Sequence, residues 1–217
     1  MQTVKKTNRK FDTKVEKEVA KFLDENLYSK DIFSRCDRTN DRERQLRGSD
    51  IIISIPKLNI ENAVCDEKAA SAYWWLEKSI NTFSLEISSF QNGILRDGWI
   101  INDNLDTEYY LFCWLNATRK DFTKDDIRWL EYALVRKKDL IQYLESENLT
   151  REHILENRDW ILNNIKEKGA IGKDKHKDLY FYYSPQLAER PVNIIVKKNV
   201  YLKLAILHGE IKNILKS

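Results

Sequence analysis

Cysteine, proline, histidine, glycine and methionine are all scarce in this 217-residue chain: three Cys, three Pro, three His, six Gly and one Met. Each scarcity removes a class of protein. Cys36, Cys65 and Cys113 are odd in number and widely spaced, which excludes a disulfide framework and a zinc-ligand motif and fits a reducing, cytoplasmic setting. No Gly-rich phosphate loop, G-x-S-x-G elbow, Cys-x-x-Cys pair or His-rich ligand set is present. No apolar run approaches the roughly 18 residues of a membrane span, so no membrane partner is expected. The opening stretch Met1 to Lys10 is charged but has no apolar core behind it, and is not read as a secretory signal. Net charge is only +3, so any attraction for nucleic acid must come from local patches. No repeat, low-complexity tract or linker divides the chain, and one domain over residues 1–217 is expected.

What is present is ordinary soluble material, 42% apolar and 33% charged. A chain of this length buries about 70% of its unfolded surface and needs no staples. Residues 1–10 read as a loose basic arm. Phe11 to Tyr28 reads as an amphipathic helix, with Phe11, Val15, Val19, Phe22, Leu23 and Leu27 near 3.6-residue spacing. Ser34 to Arg47 reads as an arginine-dense loop. Guanidinium groups grip phosphates with two donors at once, so Arg42, Arg44 and Arg47 are candidate nucleic-acid contacts, with Gln45 placed to orient a water or a base edge. An exposed loop with internal ion pairs is an equal alternative.

The chemistry concentrates just downstream. Asp50 to Ile55 and Ala63 to Lys68 read as two strands of a hairpin. Ile51, Ile52, Ile53 and Ile55 form the near-continuous apolar run of a strand covered on both faces, and Pro56 ends it. Side chains alternate along a strand, so Asp66 and Lys68 share a face and Glu67 points away. If the strands pair, Asp50 approaches that face, and two carboxylates and one ammonium converge at a sheet edge. Two carboxylates about 5 Å apart repel by roughly 3 kcal/mol at an effective dielectric near 20. A divalent cation, Mg²⁺ or Mn²⁺, relieves that conflict.

Further strands are predicted at Thr82 to Ser89, Trp99 to Ile101 and Glu108 to Leu115. Glu86, on the polar face of the first, is a candidate third acid, with a surface role as its alternative. Tyr73, Trp74 and Trp75 lie in a short helix or irregular crossing; base stacking is one use for them and packing another. Residues 121–169 read as helical, in segments 121–133, 138–147 and 150–168. Strands at 179–183 and 192–196 and a closing helix over 198–215 complete the chain. His176 has no sequence neighbour that makes it a base.

Asp50, the triplet Asp66-x-Lys68, and the downstream stretches Thr82 to Ile87, Gly98-Trp99-Ile100 and Tyr109-Tyr110-Leu111 together resemble the PD-(D/E)xK nuclease superfamily. The resemblance covers residues 40–115 best. Ser49 stands where that family often has proline. The resemblance implies an α/β (α+β) fold, a central mixed β-sheet flanked by helices, as in restriction endonucleases. Helix and core sheet would occupy residues 11–115, and a helical segment, two strands and a closing helix residues 116–217. It implies a metal-dependent nuclease acting on nucleic acid, DNA in the first instance. Asp50, Asp66 and the Glu67 backbone carbonyl would bind Mg²⁺ or Mn²⁺, and Lys68 would assist the attacking water. A glutamate of the opening helix would complete the metal site, Glu16 first and Glu18 second, each also readable as a solvated helix residue. Duplex cleavage needs two sites, which favours a homodimer. The competing expectation is a catalytically silent nuclease fold that binds nucleic acid or a protein partner.

Overall fold

The apolar stripe of the first helix decides one face of the fold. In the computed structural model, which describes residue 7 and residues 9–213, α1 spans Arg9–Asn26. Val15, Val19, Phe22, Leu23 and Leu27 are all at most 2% exposed and pack on Ile51, Ile53, Cys65, Leu111, Cys113 and Leu115. The remaining elements are β1 (Arg35–Arg38), α2 (Arg42–Leu46), β2 (Ile51–Ile55), β3 (Ile60–Ala69), β4 (Thr82–Gln91), β5 (Ile94–Asp97), β6 (Tyr109–Ala117) and β7 (Ile127–Arg136). They are followed by α3 (Lys137–Ser146), α4 (Arg151–Asn164), β8 (Gly169–Ile171), β9 (Leu179–Tyr183), β10 (Val192–Lys197), α5 (Lys198–Leu204) and β11 (Ala205–Lys212). The basic arm expected over residues 1–10 lies outside the described residues, apart from residue 7 and the start of α1.

The fold is mixed α/β with two sheets rather than one. The described residues divide into two compact units. One takes residues 10–81, 104–140 and 201–213 and holds a six-stranded sheet of order β1-β2-β3-β6-β7-β11. Its neighbours are antiparallel except β3 and β6, which run parallel with Asp66 opposite Tyr110 and Lys68 opposite Phe112. The other unit includes residues 82–103 and 141–200 and holds an antiparallel sheet of order β5-β4-β10-β9-β8. Among the described residues no helix is long and apolar enough to cross a membrane.

In the six-stranded sheet β6 is the most buried strand, with residues 110–117 all buried. Leu111, Cys113 and Leu115 meet the α1 side of the core. Tyr110, Phe112 and Trp114 alternate with them and form an aromatic layer. Tyr201 lies 4.4 Å from Phe112 and 5.8 Å from Trp114, centroid to centroid. Both faces of β6 are therefore dry, which is why its sequence is a continuous apolar run instead of an alternation.

Four expectations change. The stretch Ser34 to Arg47 is not one loop but β1 followed by α2, whose first turn is capped by the Asp41 side chain accepting from the Glu43 amide. Residues 127–136 form β7 instead of the second half of a helix. The acids expected to open that helix serve a 3₁₀ turn, Lys124–Asp126, closed by reciprocal Thr123 and Asp126 bonds. Pairing to β6 and β11 on both sides overrides the helical leaning of its Leu, Ala, Glu and Arg residues. The closing helix stops at Leu204, and residues 205–212 pair with β7 as an edge strand. Trp99, Ile100 and Ile101 form a turn; the Ile101 and Asn102 amides bond back to the Gly98 carbonyl, so Ile100 and Ile101 are buried, and Trp99 half-buried, without forming a strand.

Gly48 delivers the chain into β2. It takes φ +74°, a left-handed conformation, and a Cβ there would lie 2.3 Å from Thr107 Oγ1, which itself donates to the Gly48 carbonyl at 2.8 Å. Gly48→Ala is expected to lower stability by about 1–3 kcal/mol, measured as a shift in urea midpoint. An unchanged midpoint would show that this turn relaxes freely.

Candidate active site

β2 and β3 pair antiparallel with Ile51 opposite Cys65, which brings the residue before β2 beside the end of β3. Asp50 donates its amide to the Cys65 carbonyl at 3.1 Å, and its Oδ2 accepts the Glu67 amide at 2.9 Å. Asp66 is 3% exposed. Its Oδ1 accepts from Lys68 Nζ at 2.7 Å. The Asp50 carboxyl is close enough to Asp66 to raise its pKa. Two carboxyls and an ammonium thus meet at the mouth of the β2–β3 pair, as strand alternation predicts.

Burial governs the electrostatics of this cluster. It raises the Asp66 pKa, the Asp50 carboxyl raises it further, Lys68 pulls it down, and it ends at about 8. Burial works against the Lys68 ammonium, but Asp66, Asp50 and Glu16 outweigh it, so the Lys68 pKa is raised. The ammonium form of Lys68 is thereby favoured. Glu16 of α1 keeps solvent-exposed surface, yet shielding by the surrounding protein raises its pKa, Lys68 lowers it, and Asp50 and Asp12 raise it. It therefore senses the same cluster. Tyr110, opposite Asp66 on β6 and fully buried, has its hydroxyl pKa raised by burial and then by Asp66.

The other face of β3 carries a second network. The Glu67 carboxylate accepts two bonds from the Arg38 guanidinium, at 2.6 and 3.1 Å, and one from the Tyr28 hydroxyl at 2.7 Å. Arg38 also reaches Asp24 at 2.8 Å and the Ala20 carbonyl at 2.9 Å. A surface cleft of about 490 Å³ opens on this side, lined by Asp24, Tyr28, Cys36 and Arg38 among others. Only the backbone of Glu67 faces the Asp50–Asp66 cluster, through its amide.

The remaining sequence candidates divide as follows. Asp50, Asp66 and Lys68 come together within one unit, and Glu16 of the same unit is near enough to feel the charges of Lys68 and Asp50. Glu18 does not join them; it accepts from Lys21 Nζ at 2.6 Å and from the Lys124 amide at 2.9 Å. Arg42 and Arg44 stay exposed on α2, Arg47 pairs with Asp106 at 2.7 Å, and the Gln45 side-chain amide is committed to the Thr39 carbonyl at 2.7 Å. Glu86 belongs to the other unit, on β4, where it accepts from Ser89 Oγ at 3.1 Å. His176, without a partner on sequence grounds, meets Glu147 at 3.3 Å in that same unit. Sequence reasoning missed Tyr28, Arg38 and Tyr110. Arg38 was masked by reading β1 as loop. Tyr110 is found only once the parallel β3–β6 register is known.

Among the described residues no three His, Cys, Asp or Glu side chains group closely enough to form a ready-made metal cluster. The donors that fit a hard divalent cation are the Asp50 and Asp66 oxygens and a neighbouring carbonyl. The raised pKa of Asp66 means that this carboxyl must give up a proton before it suits such an ion. Comparison of the chain with protein-family models, with curated proteins and with solved structures gave no match.

Unfolded aspartate titrates near 3.9, whereas Asp66 in the fold titrates at about 8. Between those values the folded protein holds a proton that the unfolded chain has lost, so Asp66 makes stability fall as pH rises through that window. In chelator, the urea midpoint of the wild type is expected to drop relative to Asp66→Asn between about pH 4 and pH 8. Parallel curves would contradict this.

Proposed function

We propose that this protein is a divalent-cation-dependent phosphodiesterase acting on nucleic acid, DNA in the first instance, with the site at Asp50, Asp66 and Lys68. The observation that carries it is the meeting of two neighbouring carboxyls with an ammonium held against one of them, on paired inner strands of the sheet. Such a grouping is costly unless it has a use, because like charges and burial both oppose ionisation of Asp66.

In this reading Asp50, Asp66 and the Glu67 carbonyl hold Mg²⁺ or Mn²⁺, and Glu16 reaches the same ion from α1. A bound divalent cation would polarise the phosphodiester and lower the pKa of a water. The residues supply the rest. Asp66 gives up its proton as the site loads, so binding releases protons and weakens below about pH 8. Lys68, kept charged by three acids, stabilises negative charge that develops on the phosphoryl oxygens and orients the water. Asp50 is aimed by the Glu67 amide, which leaves its other oxygen for the ion. Exposed Arg42 and Arg44 on α2, six to eight residues before Asp50, are suited to phosphate contacts.

A second reading has one observation in its favour. The Lys68 ammonium already neutralises Asp66, so the cluster satisfies itself without an ion. A silent nuclease fold that binds nucleic acid follows from that.

Incubation of pure protein with plasmid, single strands and RNA, with Mg²⁺, Mn²⁺ or chelator, separates the two. The phosphodiesterase reading expects cation-dependent product, lost at least a hundred-fold in Asp50→Ala and Lys68→Ala on the scale of removing one charge-stabilising group. Variants that cut as fast as the parent would overturn the site. Salt-sensitive binding without product would favour the silent fold.

A further inference from the structure

Beyond Lys68 the chain does something unusual for a soluble protein. β3 runs out at Ala69, turns through a 3₁₀ segment Ser71–Tyr73, and places Tyr73 and Trp75 in solvent, 42% and 55% exposed. Exposing that much aromatic surface forgoes about 25 cal/mol for each Å² left in water. The turn that holds the rings outward is nonetheless firmly tied. The Ala70 amide bonds to the Cys113 carbonyl at 2.9 Å, the Ala117 amide to the Trp74 carbonyl at 2.8 Å, and the buried Asn116 side chain to the Leu76 carbonyl at 2.9 Å. Ser71 Oγ donates to Asp12 Oδ1 at 2.6 Å, pinning the turn to α1, the helix that carries Glu16. Half-buried Trp74 packs edge-on against Trp75, centroids 6.0 Å apart. Tyr73 and Trp75 are tilted by 34° with centroids 6.0 Å apart, so the rings neighbour one another without closing face to face.

We propose that Tyr73 and Trp75 form a stacking platform for unpaired bases of a single nucleic-acid strand that runs to the Asp50–Asp66–Lys68 site, an inference that rests on the phosphodiesterase reading for that site. Two observations select this occupant. The first is distance along the chain: five residues separate Lys68 from Tyr73, at most about 18 Å of backbone. Stacked nucleotides rise about 3.4 Å each, so a strand held at the acids reaches the platform within about five nucleotides. The second is charge. Arg119 is taken up by Asp126 and Asp121 by Lys14, which leaves exposed Lys78 and Lys120 against Glu77 on the two segments that the turn ties together, a small positive excess that suits a phosphate chain. Bases inside a duplex cannot offer a free face to such rings, so the substrate class is single-stranded, or a duplex with unpaired bases beside the cut.

The test is fluorescence anisotropy in chelator, with a labelled oligothymidylate strand and a blunt duplex of equal length as probes. Wild type is expected to prefer the single strand and to lose tryptophan fluorescence on binding. Tyr73→Ala and Trp75→Ala should each weaken it about ten-fold, while Trp75→Phe retains most of the affinity. Single-strand binding that survives the Tyr73→Ala/Trp75→Ala double variant would overturn the platform, as would no binding by the wild type or equal affinity for blunt duplex. A sedimenting dimer that Trp75→Ala dissolves, with oligonucleotide binding unchanged, would overturn it in favour of a protein contact. Cleavage assays with Mg²⁺ and Mn²⁺ on the same proteins keep the two proposals apart. Ring-dependent binding without cleavage sustains the platform and sinks the phosphodiesterase, and cleavage with ring-independent binding does the reverse.

Discussion

The buried pair between Glu67 and Arg38 holds the rest of the site in order. A strand shifted by one residue turns every side chain to the opposite face. For β3 that slip would carry Asp66 and Lys68 to the α1 side and push Glu67 toward the aromatic layer of Tyr110 and Phe112. Three hydrogen bonds to the Glu67 carboxylate, two from Arg38 and one from Tyr28, oppose it. Separating a buried ion pair leaves a charge uncompensated and costs about 3–5 kcal/mol. The acid that stands between the two chemical residues in sequence therefore acts as their register pin. Its amide does a second job by binding Asp50 Oδ2.

On the opposite face the balance is less settled. Asp66 is almost fully buried, Lys68 is hydrogen-bonded to it, and the Asp50 carboxyl lies near enough to oppose its ionisation. Burial favours the neutral acid, the ammonium favours the carboxylate, and the second acid again favours the neutral form. The outcome is a carboxyl that holds its proton until about pH 8 and an ammonium whose pKa is raised. In the proposed reading a divalent cation would resolve the conflict by replacing the Asp66 proton, and would leave Lys68 to face an approaching oxygen. The aromatic turn that follows is tied to β6 next to the ladder that ends at the acids, and the proposed platform would add a second element of recognition there.

Much of this was legible before any coordinates. The helix at α1, the paired strands around Asp50 and Asp66, and the shared face of Asp66 and Lys68 follow from periods of 3.6 and 2, and long-range contacts do not disturb them. The strand β7 was not legible, because Leu130, Ala133 and Leu134 suit a helix and only partners on both sides make them a strand. β11 was hidden for the same reason: its residues continue the apolar spacing of α5, and pairing with β7 alone turns them. The division into two sheets and two units was invisible because no linker marks it; from residue 10 onward the chain crosses between them four times within ordinary sequence. In the site, Arg38 and Tyr28 escaped notice because their partner lies 29 and 39 residues away. Glu16 was anticipated on a helix whose acids all look alike, and only its response to Lys68 and Asp50 sets it apart from Glu18.

The central proposal is that Asp50 and Asp66 hold a divalent cation in place of the Asp66 proton. A crystal soaked in Mn²⁺ above pH 8 and measured at the manganese edge tests this directly. The account predicts an anomalous peak bonded to oxygens of both carboxylates, with Lys68 turned away from Asp66. Strong diffraction with no peak there, and the Lys68–Asp66 bond intact, would contradict it.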